Sequence, residues 1–489
     1  MKTRRYWVTA TGVAFCFCVA LLCYAAYHHM GEIDSGYFLS VYPDKAGTKL
    51  DSCNLCHRGG AYQSGGKDVT VGSCQWCHYK YGYNEPHGNI DDTLNAYGAD
   101  YKLHGRSADA VRIIDSRDSD GDGYLNYAEI AANRYPGDPN DDPSKVPAPS
   151  KVYTREELEA KPQHSQILLM NAHKSVDDYA QYTGVTFENL LDRIKLPSAT
   201  RMTVYSPDGF SQTHPFQYDE SPISYHVYGT YPAATFYYSQ EADVLTNPTY
   251  GWCNYSSPSL AQAGLANGDS IINPEGLKLL LAIRRDGGYL TPGVLNPQNK
   301  LDGEGPYRVV PPQKIPGPPD QSSRSGYQDV IWPFDPNADH NAGYSTRSTT
   351  IVRVEPLPAG TTDIDLLEAG WNYIDNNSIV VYGAISPIEN INDKLSQLNA
   401  AIDSIPASAF NVPSGKDVLK RKLLVISKDI QIKNYTGAYQ KLQNDILAKL
   451  DGCAVSGGPD GNDWVKACDT QTRLYWAIYE IGVLLKIVV

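Results

Sequence analysis

Two copies of one short motif constrain this chain more than any other feature. The motif is Cys-x-x-Cys-His; it comprises Cys53, Cys56 and His57 in the first copy and Cys74, Cys77 and His78 in the second. This spacing is typical of c-type haem attachment, in which both thiols bond to the porphyrin and the adjacent His ligates the iron. A four-cysteine zinc site is the alternative, but zinc does not require a His after each second cysteine. We therefore predict two haem c groups, with electron transfer as the first function to consider.

Each haem iron has a second axial position, for which the sequence offers histidines more readily than methionines. His87 and His104 follow the second motif closely, and His173 lies further along in LLMNAHKSVDD. Neutral imidazole is a good iron ligand, so these three are the candidate distal ligands. A surface or hydrogen-bonded His is the alternative at each position.

An acidic segment after the haem motifs matches the twelve-residue calcium loop of the EF-hand. Its sequence is DSDGDGYLNYAE, starting at residue 118. The expected ligands are side-chain oxygens of Asp118, Asp120, Asp122, Asn126 and Glu129 and the backbone carbonyl of Tyr124. Gly123 permits the sharp turn that the loop needs. We predict one structural calcium ion here; an acidic, solvated loop is the alternative.

The N-terminus and the overall charge indicate where the chain works. Residues 1–30 begin with basic residues and contain an uncharged, mostly apolar run at 6–27, as in a signal peptide or a membrane anchor. In both cases the body is extracytoplasmic, in the periplasm or at the cell surface, where disulfides persist. The net charge of −13 argues against nucleic acid as a partner and favours cationic or neutral redox partners.

The rest of the chain divides into regions of different composition, which predict an α+β multidomain protein. A haem-packed N-terminal segment spans 35–147, and the Pro- and Asp-rich stretch 136–151 marks a boundary. From 151 to 384, short β runs such as RMTVYS, STTIVRVEPL and NSIVVYGAI alternate with expected helical pieces, FENLLDRI and EGLKLLLAI. This region is expected to be mainly β.

Residues 388–489 change to the helical period. Apolar residues recur at steps of three and four, as in Ile388, Ile391, Leu395 and Leu398, which predicts a small antiparallel helix bundle. Cys453 and Cys468 flank a Gly-rich loop before the last helix and are expected to form a disulfide that contributes about 3 kcal/mol. Of the ten cysteines, Cys253 has no assigned partner or role.

The stretches 179–210 and 276–313 resemble the sulfite oxidase type of molybdopterin domain. The matching positions are Gly184, Asp208, Gly209, Gly305, Pro306, Arg308 and Pro311. In that family the molybdenum-ligating cysteine precedes the helix that starts near Gly184, and here no cysteine lies between Cys77 and Cys253. The resemblance therefore implies a sulfite-oxidase-like α+β domain without the metal site, and we expect no molybdopterin.

The DGEGP stretch at 302–306, together with the two haem motifs, resembles the GEGP-motif dihaem cytochromes of deltaproteobacteria. This resemblance implies an exported dihaem cytochrome that relays electrons in extracytoplasmic respiration, with cytochromes or quinol-linked complexes as partners. Two alternatives remain open. One is a molybdopterin-type oxidoreductase that passes electrons to its haems, and the other is a cell-surface structural or binding protein.

Overall fold

The computed structural model describes residues 33–489 except for short internal gaps. The gaps are 65, 83–86, 173–176, 193, 197, 218–224, 232–234, 250, 252–254, 256–264, 297–300, 314–333 and 363–368. The predicted leader, residues 1–30, and its apolar run lie outside the described residues. Within the described part of the chain, no helix has both the length and the apolarity needed to cross a membrane.

The N-terminal segment is built from short helices and one hairpin. The helices are α1 (Ile33–Val41), α2 (Ser73–Lys80), α3 (Ala96–Leu103), α4 (Ala108–Ile114) and α5 (Asn126–Ala131). The antiparallel hairpin joins β1 (Gly60–Ser64) to β2 (Lys67–Val71) between the two Cys-x-x-Cys-His motifs. Short 3₁₀ turns at Cys53–Leu55 and Ile90–Thr93 flank the motifs. Because no long apolar helix is available, the core here is small and rich in tyrosine, with Tyr97 and Tyr101 buried beside Phe38 and Leu50.

The central region contains two five-stranded sheets. One sheet contains β4 (Gln163–Met170), β5 (Asp178–Thr186), β10 (Leu280–Arg285), β11 (Gly288–Tyr289) and β14 (Arg308–Val310). The other contains β3 (Ser150–Thr154), β6 (Arg201–Tyr205), β7 (Ser211–Pro215), β15 (Ile351–Glu355) and β16 (Ser378–Tyr382). The strand order of the first sheet is β11-β10-β5-β4, and β14 also pairs with β10. The order of the second sheet is β3-β16-β15-β6-β7, in which β15 and β16 run parallel. Both sheets contribute to one large apolar core.

Smaller elements complete the central region. Short strands form two further antiparallel pairs, β8 (Thr235–Tyr237) with β9 (Ser270–Ile272) and β12 (Val294–Leu295) with β13 (Leu301–Asp302). The helices are α6 (Arg155–Glu159), α7 (Phe187–Leu191) and α8 (Ala369–Asp375).

One sequence expectation for this region is wrong. The stretch EGLKLLLAI was expected to be helical, but Leu280–Arg285 forms strand β10, which pairs with β5, β11 and β14. Leu280 to Ile283 are all buried, so the continuous apolar run reflects a strand covered on both faces. The helix expected at FENLLDRI is confirmed as α7.

The C-terminal region is helical, as its apolar period predicts. Its helices are α9 (Pro387–Ser404), α10 (Gly415–Gln431), α11 (Tyr435–Lys441), α12 (Gly452–Ser456) and α13 (Cys468–Val488). A π-helical turn, Leu442–Ile446, continues α11. The apolar stripes of α9, α10 and α13 meet in a separate core that includes Ile391, Leu423 and Ile481. The chain is therefore a mixed α and β protein with a helical C-terminal region, and the exact domain boundaries stay a prediction.

Candidate haem and calcium sites

The first motif lies on a tight turn that is hydrogen-bonded to the start of α3. The turn spans Cys53–Leu55, and the side-chain amide of Asn95 donates a hydrogen bond to the carbonyl oxygen of Asn54 at 3.0 Å. The Asn95 backbone N–H donates to the carbonyl oxygen of Cys56, also at 3.0 Å. Gly98 packs so closely that a Cβ there would come 2.0 Å from the same oxygen. Any larger side chain at this position would displace the motif.

The second motif lies on a helix rather than a turn. Cys74, Cys77 and His78 all belong to α2, where positions three or four apart share a face. The Ser73 hydroxyl donates to the side-chain oxygen of Asn54 at 2.8 Å. The two motifs are therefore linked directly through a side chain of the first.

Thr93 orients the histidine of the first motif. Its hydroxyl oxygen lies 2.8 Å from His57 Nδ1. The hydroxyl donates its proton to the carbonyl oxygen of Ile90 at 2.7 Å. Because that single proton is used, Thr93 must accept from His57, and Nδ1 carries the imidazole hydrogen.

The protonation state of His57 follows from this contact and from burial. Burial lowers the pKa of His57, so its ring is neutral near pH 7. A neutral imidazole protonated on Nδ1 has its lone pair on Nε2, which is the atom that ligates a metal when the other nitrogen is hydrogen-bonded. The first motif thus presents a histidine in the form that iron requires.

The motif cysteines are thiols in half-buried positions. Cys53, Cys56, Cys74 and Cys77 form no disulfide in the described structure. Burial, followed by the negative charges of Asp34 and Cys53, raises the pKa of Cys56 to about 12, and burial also raises the pKa of Cys77. Without a bound group, these two residues are therefore neutral thiols at physiological pH.

A cavity of about 440 Å³ adjoins the first motif. His57 and Asn54 line it from the motif itself, with Arg58, Asn95 and Tyr135 on the surrounding walls. A group liganded by His57 would therefore have open space beside it.

The second motif faces the central region. Cys74 packs against a small apolar cluster made of Leu301, Trp371 and Ile374. The side-chain amide of Gln75 donates to the carbonyl oxygen of Pro207, in the turn between β6 and β7. A group bonded to Cys74 would therefore lie beside the central region as well as the N-terminal segment.

The structure places two of the three candidate distal histidines. His87 is exposed. His104 ends α3, where its Nδ1 lies 2.8 Å from the carbonyl oxygen of Asp100 and its Nε2 lies 3.1 Å from the Arg117 guanidinium. Since guanidinium only donates, Nε2 accepts here and is engaged in this conformation. His173 lies outside the described residues.

The predicted calcium loop brings its acidic side chains together. Carboxylate oxygens of Asp118, Asp120 and Asp122 all lie within 4.8 Å of one another. The backbone N–H groups of Gly121 and Gly123 donate to Asp118 at 2.7 and 3.0 Å, and both glycines have positive φ. The loop therefore has the sharp turn that its sequence predicts.

Glu129 is the most informative residue of the loop. It is fully buried, and among the described residues neither of its carboxylate oxygens has a hydrogen-bond partner. Burial, then the charges of Asp120, Asp122 and Asp118, raises its pKa to about 10. A buried carboxylate without a donor is costly unless a cation neutralises it, so these residues fit a calcium ion.

The remaining loop residues have structural contacts. The Asn126 side chain donates to the carbonyl oxygen of Ile114 at 2.8 Å and accepts from the Ser119 backbone at 3.2 Å, so its role as a calcium ligand stays a prediction. The Tyr124 ring packs edge-on against Trp476 of α13, with centroids 5.9 Å apart. The loop thus lies against the C-terminal region.

The charged residues near the GEGP stretch neutralise one another. Glu304 accepts from Arg285 at 2.6 Å and from Arg308 at 2.7 Å, and Arg285 is also paired with Asp178. Arg308 donates further to the Tyr182 hydroxyl at 2.9 Å. Both arginines are used within the fold, so this cluster is not a cationic site for an anionic ligand.

Other positions of the sulfite-oxidase resemblance have backbone roles. A Cβ at Gly184 would lie 2.1 Å from the carbonyl oxygen of Leu281 across the β5–β10 pair, and Gly209 has φ +88° in the β6–β7 turn. Cys253 lies outside the described residues.

Sequence reasoning missed the residues that hold the first motif. Thr93 and Asn95 hold the backbone and the histidine of the first motif, yet neither belongs to a recognisable pattern. The Ile90–Thr93 turn and the Asn95 N-cap of α3 could have been suggested by the Asp, Thr and Asn residues there. Nothing local indicates that they contact Cys56 or His57.

Comparison with known proteins adds no family to this picture. No protein-family model, no curated protein and no solved structure matches this chain.

Proposed function

We propose that this chain is an exported dihaem c-type cytochrome that relays electrons between extracytoplasmic redox partners. The observation that carries the proposal is the direct contact of the two Cys-x-x-Cys-His motifs, in which the Ser73 hydroxyl, next to Cys74, donates to the side-chain oxygen of Asn54, next to Cys53, at 2.8 Å. Haem iron, when bound, supplies a reversible one-electron couple. Cys53 and Cys56 would hold one haem with His57, and Cys74 and Cys77 would hold the other with His78.

The chain's own residues support haem better than zinc. Three or more ligand atoms of His, Cys, Asp or Glu come within 4.8 Å of one another at two acidic clusters, and the motif thiols form no such group within the described structure. A four-cysteine zinc site requires four converging thiolates.

In this proposal calcium stabilises the N-terminal segment. Asp118, Asp120, Asp122 and Glu129 would bind one ion and hold the loop between α4 and α5. Because Tyr124 contacts Trp476, an ordered loop would also fix the C-terminal region against the haem segment.

The central region is proposed to act as a scaffold or docking surface without molybdopterin. The pairing of Arg285 and Arg308 with Glu304 supports this, since neither arginine is left to bind an anionic cofactor or substrate. The net charge of −13 supports cationic redox proteins, such as cytochromes, as partners.

A haem count tests the proposal directly. Protein produced in a host that matures c-type cytochromes should keep its haem after denaturation and acetone extraction, and its intact mass should include two haems. The variant with Cys53→Ser and Cys56→Ser should retain one haem, as should the variant with Cys74→Ser and Cys77→Ser. Protein with no covalent haem would reject the proposal.

Metal analysis tests the role of the central region. The purified protein should contain no molybdenum, should not oxidise sulfite, and should show unchanged haem reduction after Cys253→Ser. Stoichiometric molybdenum, with loss of sulfite oxidation in Cys253→Ser, would instead favour a molybdopterin oxidoreductase.

A further inference from the structure

Helix α10 carries apolar side chains on two opposite faces. Its buried face packs into the C-terminal core through Leu419, Leu423, Ile426 and Ile430. Leu424 and Val425 lie on the other side of the helix, and Ile432 follows its last residue; these three side chains are 54%, 44% and 73% exposed. Because residues seven and eight positions apart lie on the same helix face, the three form one solvent-facing apolar stripe.

Cations border this apolar stripe. Arg421 lies one turn before its first residue, Lys428 lies within it, and Lys433 follows Ile432 directly. All three basic side chains are exposed. Among the described residues, none of the three is paired with an acidic side chain. The cations are therefore available to an anionic partner that covers the stripe.

The charge of this stretch opposes that of the whole chain. Residues 415–441 include seven basic and two acidic residues, a net charge of +5, whereas the chain carries −13. One of the two acids, Asp429, is buried and pairs with Lys441 at 2.5 Å. At physiological ionic strength, charges further away than about 8 Å are largely screened. A partner that touches α10 therefore meets a cationic, apolar surface in spite of the overall negative charge.

The composition of the stripe fits a lipid surface better than a protein. Cores of protein interfaces are enriched in aromatic residues and depleted of Lys, whereas this stripe is aliphatic and bordered by Lys and Arg. At a bilayer surface, aliphatic side chains enter the boundary between headgroups and acyl chains, and Lys and Arg extend to the phosphates. An anionic bilayer therefore matches both parts of the stripe.

We propose that α10 docks the protein onto a bilayer that contains anionic phospholipid. Leu424, Val425 and Ile432 enter the headgroup region, and the three cations contact lipid phosphates. The helix has 17 residues and several charges, so it lies on the bilayer and does not cross it. This inference goes beyond the proposed electron relay and does not require haem, so the two can fail separately. Docking would bring the relay to the membrane surface, where quinol-linked complexes act.

Lysine acetylation followed by mass spectrometry tests this on the full chain. The vesicles contain phosphatidylcholine with or without phosphatidylglycerol. With anionic lipid at about ten times its dissociation constant, acetylation of Lys428 and Lys433 should slow about tenfold, and neutral vesicles should have no effect. Lys102, exposed on α3 of the N-terminal segment, is the internal control. The measurement is local, so binding of the predicted leader to either kind of vesicle does not affect it.

Matched variants separate the apolar contribution from the charge. Leu424→Ser with Ile432→Ser should weaken the protective binding about tenfold, because the stripe loses two of its three apolar side chains. Arg421→Gln should weaken it about fivefold. The controls are Ile272→Ser on β9, where the side chain is 63% exposed, and Arg112→Gln on α4, which is also exposed. Both controls should bind as the wild type does. Salt at about 1 M should abolish protection, because it shortens the Debye length to about 3 Å.

The contrary outcomes are distinct. Equal protection by neutral vesicles, or no protection by either kind, would overturn the inference and leave the electron relay untouched. Protection by inorganic phosphate alone would assign a site for free anions instead of a bilayer. Protection that appears without vesicles and rises with protein concentration would assign the stripe to a contact between copies of this chain, which also contradicts the inference.

Discussion

Thr93 Oγ1 lies 2.8 Å from His57 Nδ1 and donates its own proton to the carbonyl oxygen of Ile90. This arrangement fixes the hydrogen of the imidazole on Nδ1 and orients the ring. One hydroxyl therefore sets both the ligand form and the orientation of the histidine in the first motif.

We predict that Thr93→Val weakens iron ligation by His57. Valine keeps the shape of the side chain but removes the acceptor, and loss of such a contact behind a ligating His typically costs tenfold or more in metal affinity. One of the two haems should gain a high-spin component in its absorption and paramagnetic resonance spectra. The control is Thr48→Val, which removes a similar hydroxyl bond to a carbonyl three residues earlier, also 2.7 Å long. Identical spectra for both variants would argue against this role of Thr93.

The disulfide gives a second prediction. Cys453 and Cys468 lie at bonding distance with their Cα atoms 5.2 Å apart, and they are fifteen residues apart in sequence. Replacing both with Ser should lower the free energy of unfolding of the C-terminal region by about 3 kcal/mol, because the unfolded chain loses a constraint. Urea unfolding under oxidising conditions measures this. Reduction of the wild type should lower the free energy of unfolding by the same amount, and the stability of the variant should not change with reductant.

The parts of the fold that follow a local pattern could be predicted from the sequence. The helical C-terminal region follows from apolar residues spaced three and four apart, because one face of each helix must be buried. Periodicity failed at Leu280–Ile283, where a run of apolar residues fits a doubly covered strand as well as a helix.

The sites could be predicted from the sequence only where their ligands lie close together along the chain. The motif cysteines and the acidic loop have fixed spacing, since one cofactor or ion must be reached by a short stretch of chain. The contacts of Thr93 with His57 and of Cys74 with Trp371 join residues far apart in sequence. Such contacts depend on how the finished regions pack, which no local pattern encodes.

Acid stability gives a third prediction, at His214 in β7. The ring is fully buried and donates from Nδ1 to the carbonyl oxygen of Tyr225 at 3.1 Å, and burial lowers the pKa of His214 to about 4. The unfolded chain takes up a proton near pH 6.5 while the folded protein does not, so stability falls as pH drops from about 6.5 to 4. Between pH 7 and pH 5 this group should cost about 2 kcal/mol. In urea unfolding, the loss of stability between these two pH values should be smaller by that amount in His214→Gln than in the wild type.

The last prediction concerns Glu129 and calcium. In chelated protein, burial and the neighbouring acidic groups raise the pKa of Glu129 to about 10, against an ordinary value of about 4.3. The folded state then holds a proton that the unfolded state releases, so the free energy of unfolding should fall as pH rises across this window. The slope for one carboxyl is at most about 1.4 kcal/mol per pH unit.

Calcium should remove this loss of stability, because the ion stabilises the ionised carboxylate of Glu129. The calcium-bound protein should therefore melt at a higher temperature than the chelated protein, and the difference in melting temperature should grow with pH. Glu129→Gln has no charge to bury, and it should melt above the chelated wild type at pH 8 yet respond little to added calcium. Glu389→Gln is the control, because it removes an exposed carboxylate that pairs with Lys195 at 2.7 Å. It should respond to calcium as the wild type does. Melting curves of the wild type that coincide with and without chelator at pH 8 would contradict a calcium site in this loop.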